Sequence, residues 1–191
     1  MTAAGITAGH DLVVGGTGML AGLCASLAAA GRTVTVIGRD RIRLDALAVT
    51  AGIRPLAVDY RDGEALPPAL VAAAEASGPI ERAICWIHHG TAPEAAAQIA
   101  RRTGRLFCHI LGSAAGDPAR PQLLALWRNR VLQARPGLTY RTVILGFVPG
   151  GAGRASRWLS HDEISTGVLA ALQAGAPVSV VGTVEPWSAR P

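Results

Sequence analysis

The residues whose spacing most clearly indicates chemistry are small ones near the start of the chain, in the segment LVVGGTGMLAG at 12–22. Gly16, Gly18 and Ala21 fit the spacing G-x-G-x-x-G/A, which follows an apolar run and opens an alanine-rich one. Small residues at such a turn let the backbone approach a phosphate, whose charge the unpaired N–H groups of a helix N-terminus stabilise. The segment therefore predicts a pyrophosphate site for a dinucleotide. The residues predicted to form it are Gly15, Gly16, Thr17, Gly18, Met19 and Leu20.

Two charged residues stand where the adenosine half of that dinucleotide would lie. About twenty residues after Gly18, the apolar run 33–37 ends in Gly38-Arg39-Asp40. An acidic residue here favours NAD by binding the ribose hydroxyls, whereas Arg39 offers a guanidinium to the 2′-phosphate of NADP. Asp40 is one position away from the place where an NAD-binding protein has its acidic residue. The alternative is that Asp40 caps a solvated helix. We predict NADP, with NAD less favoured, and place Arg39 and Asp40 in the cofactor site.

Residues able to carry out acid–base chemistry follow two later apolar runs. Open α/β sheets bind ligands at the carboxyl ends of their strands, and this rule selects His88, His89 and Ser113. Histidine titrates near neutral pH, and a serine hydroxyl can hydrogen-bond a substrate carbonyl. The alternative is that the two histidines hydrogen-bond the backbone or line the pocket. We predict Ser113, His88 and His89 as catalytic residues, and His109, inside an apolar run, as a core residue.

These residues must be positioned by strands and helices, which are predicted to alternate along the chain with the spacing typical of a parallel sheet covered by helices on both faces. Most of the strand candidates are continuous apolar runs, as buried parallel strands are. Their predicted ranges are 11–15, 33–37, 54–58, 82–87, 105–111, 140–147 and 178–181. No repeat or linker interrupts the pattern. The sequence therefore predicts an α/β fold, a single doubly wound Rossmann-like domain over 1–191 with a mostly parallel sheet of about seven strands.

Capping residues predict where several of the helices begin and end. The segments 91–94 and 160–163 have the patterns T-x-x-E and S-x-x-E of a capping box, which marks a helix start. Gly104 and Gly175 stand where a glycine would end a helix.

Composition excludes several classes of protein. The uncharged stretch 12–31 is about as long as a membrane span, but its five glycines argue against one. The positive charge of a secretory signal is also missing, so we predict a cytoplasmic protein without a membrane partner. All eighteen basic residues are arginines spread along the chain, so the net charge of +5 predicts no nucleic-acid partner. The three cysteines are scattered without metal-ligand spacing, so no metal site is predicted.

The order of these motifs resembles the short-chain dehydrogenase/reductase superfamily, in an atypical branch. The resemblance rests on GGTG, VIGRD, VDYRD at 58–62, LFCHILGSAAG and VILGFVPGG, and it covers almost the whole chain. It implies an NAD(P)-binding Rossmann fold and an oxidoreductase. It also implies that Asp59, with Tyr60 beside it, contacts the adenine, that Ser113 is the catalytic serine, and that Pro149 and Gly150 lie near the nicotinamide.

Two departures from the family pattern bear on catalysis. The sequence I-H-H-G at 87–90 stands where the family usually has Asn-Ala-Gly. The family's Tyr-x-x-x-Lys would fall at Leu126 and Arg130, and the chain contains no lysine. Neither tyrosine is predicted to replace the missing acid, because Tyr60 follows the third strand and Tyr140 opens the sixth at the end away from the cofactor.

Two functions remain open. One is an NADP(H)-dependent oxidoreductase that transfers a hydride to or from a small carbonyl or conjugated substrate without the Tyr/Lys pair. The other is a non-catalytic NAD(P)-binding sensor or regulatory protein. Retention of the loop, Arg39, Ser113 and the Pro-Gly turn favours the first. Three tryptophans near arginines, Trp127, Trp158 and Trp187, could cover an interface or a substrate cleft, and the stretch 123–134 could form a homo-oligomer.

Overall fold

The fold is built on one large parallel sheet. The computed structural model of the protein describes residues 8–88, 92, 94–120, 122–151 and 154–191. The strands are β1 (His10–Val14), β2 (Thr33–Gly38), β3 (Arg54–Ala57), β4 (Ile80–Trp86), β5 (Leu106–Gly112), β6 (Thr139–Leu145), β7 (Phe147–Val148), β8 (Arg157–Trp158) and β9 (Val178–Val181). The helices are α1 (Ala21–Ala29), α2 (Arg41–Ala51), α3 (Leu66–Ser77), α4 (Ala95–Arg102), α5 (Gln122–Ala134) and α6 (His161–Ala174). Short 3-10 helices follow β5 and β9, at Ser113–Gly116 and Trp187–Ala189.

The sheet contains seven strands in the order β3-β2-β1-β4-β5-β6-β9, and every neighbouring pair is parallel. The α/β fold with a parallel sheet of about seven strands is therefore confirmed. Each predicted strand lies within two residues of an observed one at both ends. The sequence did not predict the short antiparallel pair formed by β7 and β8.

Two hydrophobic cores lie on opposite faces of the sheet, because successive residues of a strand point to opposite sides. On β1, Val13 belongs to the core under α1, α2 and α6, whereas Leu12 and Val14 belong to the core under α3, α4 and α5. All three side chains are fully buried. Helices therefore cover both faces of the central strands, which explains why those strands are continuous apolar runs.

The order of the strands creates a crevice between β1 and β4. After β1 the chain continues through β2 and β3 to one edge of the sheet, and β4, β5 and β6 then continue to the other side. β1 and β4 are parallel neighbours, so their carboxyl ends at Val14 and Trp86 meet where the strand order reverses. Ligands of open α/β sheets bind at this point.

The capping predictions have mixed outcomes. The capping box at the start of α6 is confirmed: Ser160 Oγ accepts a hydrogen bond from Glu163 N, and the Glu163 carboxylate accepts one from Ser160 N. Gly175 ends α6 with φ +75°, as predicted. Thr91 lies outside the described residues, and α4 begins at Ala95 with Glu94 as its N-cap. In the described part of the chain, no helix combines the length and apolar character that a membrane span needs.

A buried carboxylate joins the central strands at the edge opposite the crevice. Asp11 of β1 accepts hydrogen bonds from Arg32 Nε at 2.6 Å and Arg32 Nη2 at 2.8 Å. It also accepts hydrogen bonds from Arg82 of β4, from Nε at 2.7 Å and from Nη2. The Asp11 and Arg32 side chains are fully buried, and Glu81 adds a more exposed contact with Arg32 at 3.1 Å. Asp11 therefore links β1 to β4 and to the turn that leads into β2.

Replacement of Asp11 by asparagine should destabilise the protein strongly. Asp11→Asn leaves two guanidinium groups at this site without their shared counter-charge, and loss of one partner of a buried ion pair costs about 3–5 kcal/mol. Urea unfolding followed by circular dichroism measures the change. Glu81→Gln is the matched control, since its half-exposed contact should contribute less than about 1 kcal/mol. Equal losses for the two variants would contradict this account.

Candidate functional site

The loop after β1 contains two glycines for two different physical reasons. Gly15 has φ +90°, a conformation that residues with a side chain adopt only at a cost. Gly16 lies outside that region, but a Cβ there would lie 2.6 Å from Val36 Cγ1 and 2.9 Å from Cys24 Sγ. Gly15 therefore turns the chain sharply out of β1, and Gly16 allows β2 and α1 to pack against the turn.

Gly18 lies in the same loop at a place where no other atoms pack closely against the backbone. The atom nearest to a Cβ built on Gly18 is Gly15 O, at 4.0 Å. α1 begins at Ala21, after Leu20, and no side chain within the described residues caps its first turn. Uncapped N–H groups at a helix start can donate to a phosphate. The predicted pyrophosphate site thus has room for a ligand beside Gly18, next to the start of α1, although Gly18 N already donates to Gly15 O at 3.3 Å and Ala21 N to Gly18 O at 3.0 Å.

Neighbouring elements hold this loop in place. Met19 O accepts a hydrogen bond from Ser165 Oγ of α6 at 2.9 Å. Thr17 Cγ2 would lie 3.4 Å from a Cβ built on Gly38, the last residue of β2. The loop is therefore fixed on one side by α6 and on the other by β2, next to the residues predicted to bind the adenosine half.

The end of β2 gives different environments to the two charged residues predicted there. Asp40 is the N-cap of α2: its Oδ1 accepts a hydrogen bond from Arg43 N at 3.1 Å, and its Oδ2 lies 3.3 Å from Arg43 Nε. Asp40 thus has the capping role of the alternative interpretation. Arg39 is exposed, and its side chain makes no hydrogen bond or ion pair within the described residues.

Asp59, predicted to contact the adenine, is held by an arginine that the sequence analysis did not select. Its carboxylate accepts hydrogen bonds from Arg61 Nε at 3.0 Å and Arg61 Nη2 at 2.6 Å. These hydrogen bonds, with a further contribution from the positive charge of Arg39, lower the pKa of Asp59 to about 2. Asp59 is therefore ionised at neutral pH, and the fields of Arg39 and Arg61 overlap at the end of β3. The D-x-R spacing within VDYRD is the signal that could have identified Arg61.

The end of β4 brings together three side chains with polar groups. Trp86 Nε1 donates a hydrogen bond to His88 Nε2 at 3.2 Å, and the two rings meet edge to face with centroids 5.5 Å apart. Tyr60 Oη accepts a hydrogen bond from His88 N at 3.4 Å. An imidazole nitrogen that accepts from an indole N–H is unprotonated, so the neutral ring of His88 carries its proton on Nδ1. His89, the other predicted histidine, lies outside the described residues.

The Trp86 indole occupies a slot between two glycines. A Cβ on Gly15, at the end of β1, would lie 3.1 Å from Trp86 Cβ. A Cβ on Gly112, at the end of β5, would lie 3.4 Å from Trp86 Cη2. The indole therefore lies across the carboxyl ends of three neighbouring strands, and the missing side chains of Gly15 and Gly112 leave space for it.

Ser113 follows β5 directly and begins the 3-10 helix Ser113–Gly116. Its side chain is nearly buried, with 8% of the residue exposed, and its hydroxyl makes no hydrogen bond within the described residues. β5 is the neighbour of β4, in a register that pairs Ile110 with Trp86. Ser113 and His88 thus follow adjacent strands at the same edge of the sheet, where strands lie about 4.8 Å apart.

The positions that the resemblance assigns to a catalytic tyrosine and lysine have other environments. Leu126 of α5 is 51% exposed, and Arg130 Nη1 forms an ion pair with Glu94 at 3.4 Å. Tyr140 Oη lies 2.8 Å from Nδ1 of His109, a fully buried residue of β5. Burial raises the pKa of Tyr140, so its hydroxyl stays protonated in the core.

Pro149 and Gly150 lie in the exposed loop that joins β7 to β8. Gly150 N donates a hydrogen bond to Ser156 Oγ at 3.0 Å, which closes this loop on itself. Within the described residues, neither Pro149 nor Gly150 makes a hydrogen bond or ring contact with His88 or Ser113. The loop is held to the sheet through Phe147, which forms an antiparallel bridge with Thr183.

The sequence matches no protein-family model and no curated protein sequence. It is similar in structure to an alcohol dehydrogenase from the archaeon Thermococcus sibiricus complexed with 5-hydroxy-NADP, with TM-score 0.63 and 13% identity over 93% of this chain and 96% of that one. An NAD+-bound xylitol dehydrogenase gives TM-score 0.67 and 15% identity, over 90% of this chain and 96% of that one. A short-chain dehydrogenase/reductase variant from Serratia marcescens gives TM-score 0.66 and 20% identity, over 90% of this chain and 94% of that one. The chain therefore has the fold of the short-chain dehydrogenases/reductases.

Proposed function

We propose that this protein is an NADP(H)-dependent oxidoreductase of the short-chain dehydrogenase/reductase superfamily, in an atypical branch. It would transfer a hydride between the nicotinamide and a small carbonyl or conjugated substrate. The fold and the crevice between β1 and β4 support this proposal, because open α/β sheets bind their ligands there. Two proteins of similar structure are described as complexes with 5-hydroxy-NADP and with NAD+.

The loop after β1 fits a dinucleotide pyrophosphate. A side chain on Gly16 would fill packed space, whereas a side chain on Gly18 would fill open space. The Gly18 side therefore has room for a ligand, and the start of α1, which no side chain in the described residues caps, lies beside it. The residues that would hold the cofactor are those of the loop 15–20, together with Arg39, Asp59 and Tyr60.

The observation that carries the choice of NADP is the capping of α2 by Asp40. Both oxygens of its carboxylate are engaged by Arg43, through the backbone N–H and through Nε. Ribose hydroxyls would have to compete with those contacts. Arg39 is exposed next to it, and a guanidinium binds a phosphate through paired, charge-assisted hydrogen bonds. The end of β2 therefore favours a 2′-phosphate over a free ribose.

The substrate oxygen is assigned to the ends of β4 and β5. When bound, the nicotinamide would supply or accept the hydride. The Nδ1–H of neutral His88 and the Ser113 hydroxyl would hydrogen-bond the substrate oxygen and stabilise its developing negative charge. Trp86 is a positioning residue, because its N–H bond to Nε2 fixes the proton of neutral His88 on Nδ1. The proton that the oxygen of a reduced carbonyl needs would come from water.

A second candidate function is a non-catalytic NADP(H) sensor. It is favoured by the side chains at the family's tyrosine and lysine positions, since Leu126 is apolar and exposed and Arg130 is paired with Glu94. The two candidates share the cofactor site and differ in whether turnover follows binding.

Gly18→Val should abolish dinucleotide binding without unfolding the protein. The new side chain would enter open space, because the nearest atom to its Cβ is 4.0 Å away, and it would occupy the place of the pyrophosphate. We expect NADPH affinity to fall at least about tenfold by isothermal titration calorimetry, with an unchanged melting temperature. Gly16→Val is the contrasting variant, since its Cβ would lie 2.6 Å from Val36 Cγ1 and should lower the melting temperature. Unchanged NADPH binding by Gly18→Val would place the cofactor elsewhere.

Arg39→Ala should remove the preference for the phosphorylated cofactor. Loss of charge-assisted hydrogen bonds of about 1.5–3 kcal/mol predicts NADPH binding about ten- to a hundredfold weaker, with little change for NADH. Parallel titrations with NADPH, NADP, NADH and NAD measure both effects. Arg41→Ala is the matched control, because Arg41 already pairs with Asp45 at 3.1 Å. Tighter binding of NADH than NADPH by the unmodified protein would overturn the assignment of Arg39.

Substitutions at His88, Trp86 and Ser113 distinguish the two functions. With a panel of aldehydes, ketones, enones and quinones, His88→Ala should lower kcat about a hundredfold, because removal of one donor to a developing oxyanion costs about 10²–10³. Trp86→Phe keeps an aromatic ring but removes the N–H, so we expect a loss of about fivefold and a shifted pH profile. Ser113→Ala should also lower turnover, and all three variants should still bind NADPH. Binding of NADPH by the unmodified protein without turnover of any member of the panel would favour the sensor.

A further inference from the structure

A cavity of about 530 Å³ lies between the 3-10 helix that begins at Ser113 and the segment of chain that follows β9. Its volume lies within the range of small-molecule pockets, about 300–1,000 Å³. The residues that line it are Gly116, Pro118, Val184, Glu185, Pro186 and Trp187. Most of this lining is apolar, and it includes one large aromatic ring.

The walls of this cavity are held in fixed positions. Thr183 exchanges two backbone hydrogen bonds of 2.9 Å with Phe147, which anchors the segment after β9 to β7. Thr183 Oγ1 also bonds the backbone of Glu185, donating to its O at 2.9 Å and accepting from its N at 3.1 Å. A Cβ on Gly116 would lie 3.3 Å from Val184 Cγ1, so the 3-10 helix packs directly on this segment. The cavity is therefore a built feature rather than a gap between mobile loops.

The ring of Trp187 lines the cavity and is held in one orientation. Its ring is half-buried, and the guanidinium of Arg190 lies over the ring at 4.4 Å from the centroid. This cation–π contact keeps the indole in place. A flat ring of a ligand gains more from contact with such a surface than a puckered saturated ring of the same size.

The position of the cavity relates it to Ser113. Gly116, which lines the cavity, is the last residue of the 3-10 helix that Ser113 begins. Three steps of about 2.0 Å along a 3-10 helix separate them by roughly 6 Å. Residues i and i+3 of a 3-10 helix are aligned, so a carbonyl group on a ring in the cavity would lie on the same side of this helix as Ser113.

The charge of the lining restricts the ligand further. Among the described residues that line the cavity, one is charged, the acidic Glu185. A carboxylate or phosphate on the ligand would be repelled by it and would lose hydration against the apolar walls. The lining therefore disfavours an anionic ligand.

We infer that this cavity binds the body of the substrate, and that the substrate is an aromatic carbonyl compound without anionic groups whose ring lies on Trp187. The inference rests on the proposed function for the reaction at Ser113. Binding of the ring to the cavity does not require the cofactor, so it can be measured separately.

The test compares a flat ligand with a saturated one of the same skeleton. The probes are 1-tetralone and 1-decalone, titrated calorimetrically into the unmodified protein, Trp187→Ala and Trp187→Phe. We expect 1-tetralone to bind about five- to tenfold more tightly than 1-decalone, Trp187→Ala to remove that difference, and Trp187→Phe to retain most of it. Trp158→Ala is the control, because Trp158 is 50% exposed on β8 and does not line the cavity. Melting temperatures establish that each variant is folded.

The outcomes separate the cavity from the cofactor site. NADPH affinity should be the same in all these variants, and with NADPH present Trp187→Ala should raise KM for 1-tetralone more than it lowers kcat. Absence of 1-tetralone binding, equal binding of both probes, or an unaltered affinity in Trp187→Ala would overturn the inference while the proposed function stands. If 1-tetralone binding depends on Trp187 but no dinucleotide binds, the cavity site stands and the proposed function fails.

Discussion

The packing around the first turn of the chain constrains the rest of the candidate site. Gly15 and Gly16 are in contact with β2, α1 and β4, and a side chain on either glycine would collide with Trp86, Val36 or Cys24. At the other end of β1, Asp11 is clamped by two arginines. β1 is thus fixed at both ends, by steric contact at the carboxyl end and by buried charge at the amino end. The position of the loop at the crevice depends on both.

The same turn explains why Trp86 lies where it does. An indole at the end of β4 needs space on both sides, and that space exists because β1 and β5 end in Gly15 and Gly112. Gly15, which bends the chain after β1, thus also leaves room for the ring that holds His88 by a hydrogen bond. The loop after β1 and the His88 ring are therefore linked through the contact of Gly15 with Trp86.

The sequence predicted what depends on local pattern and missed what depends on distant partners. Continuous apolar runs located most of the seven strands, because central strands buried on both faces have no polar alternation, whereas the edge strands β3 and β9 are more exposed. The ion pairs of Asp11 were missed because its partners are 21 and 71 residues away. The bond between Trp86 and His88 and the packing of Val184 on Gly116 depend on side-chain direction and on the path of the chain after β9. Neither leaves a periodic signal in the sequence.

Proton supply is where this chain departs furthest from the family that it resembles. A phenol, with an ordinary pKa near 10, needs a nearby cation to act at neutral pH, and a chain without lysine cannot provide an ammonium. Tyr140 is further removed from this role, because burial against the core raises its pKa. The Nδ1–H of a neutral imidazole can hydrogen-bond a ligand oxygen without such a cation. At the end of β4, the indole N–H of Trp86 places the ring proton of neutral His88 on Nδ1.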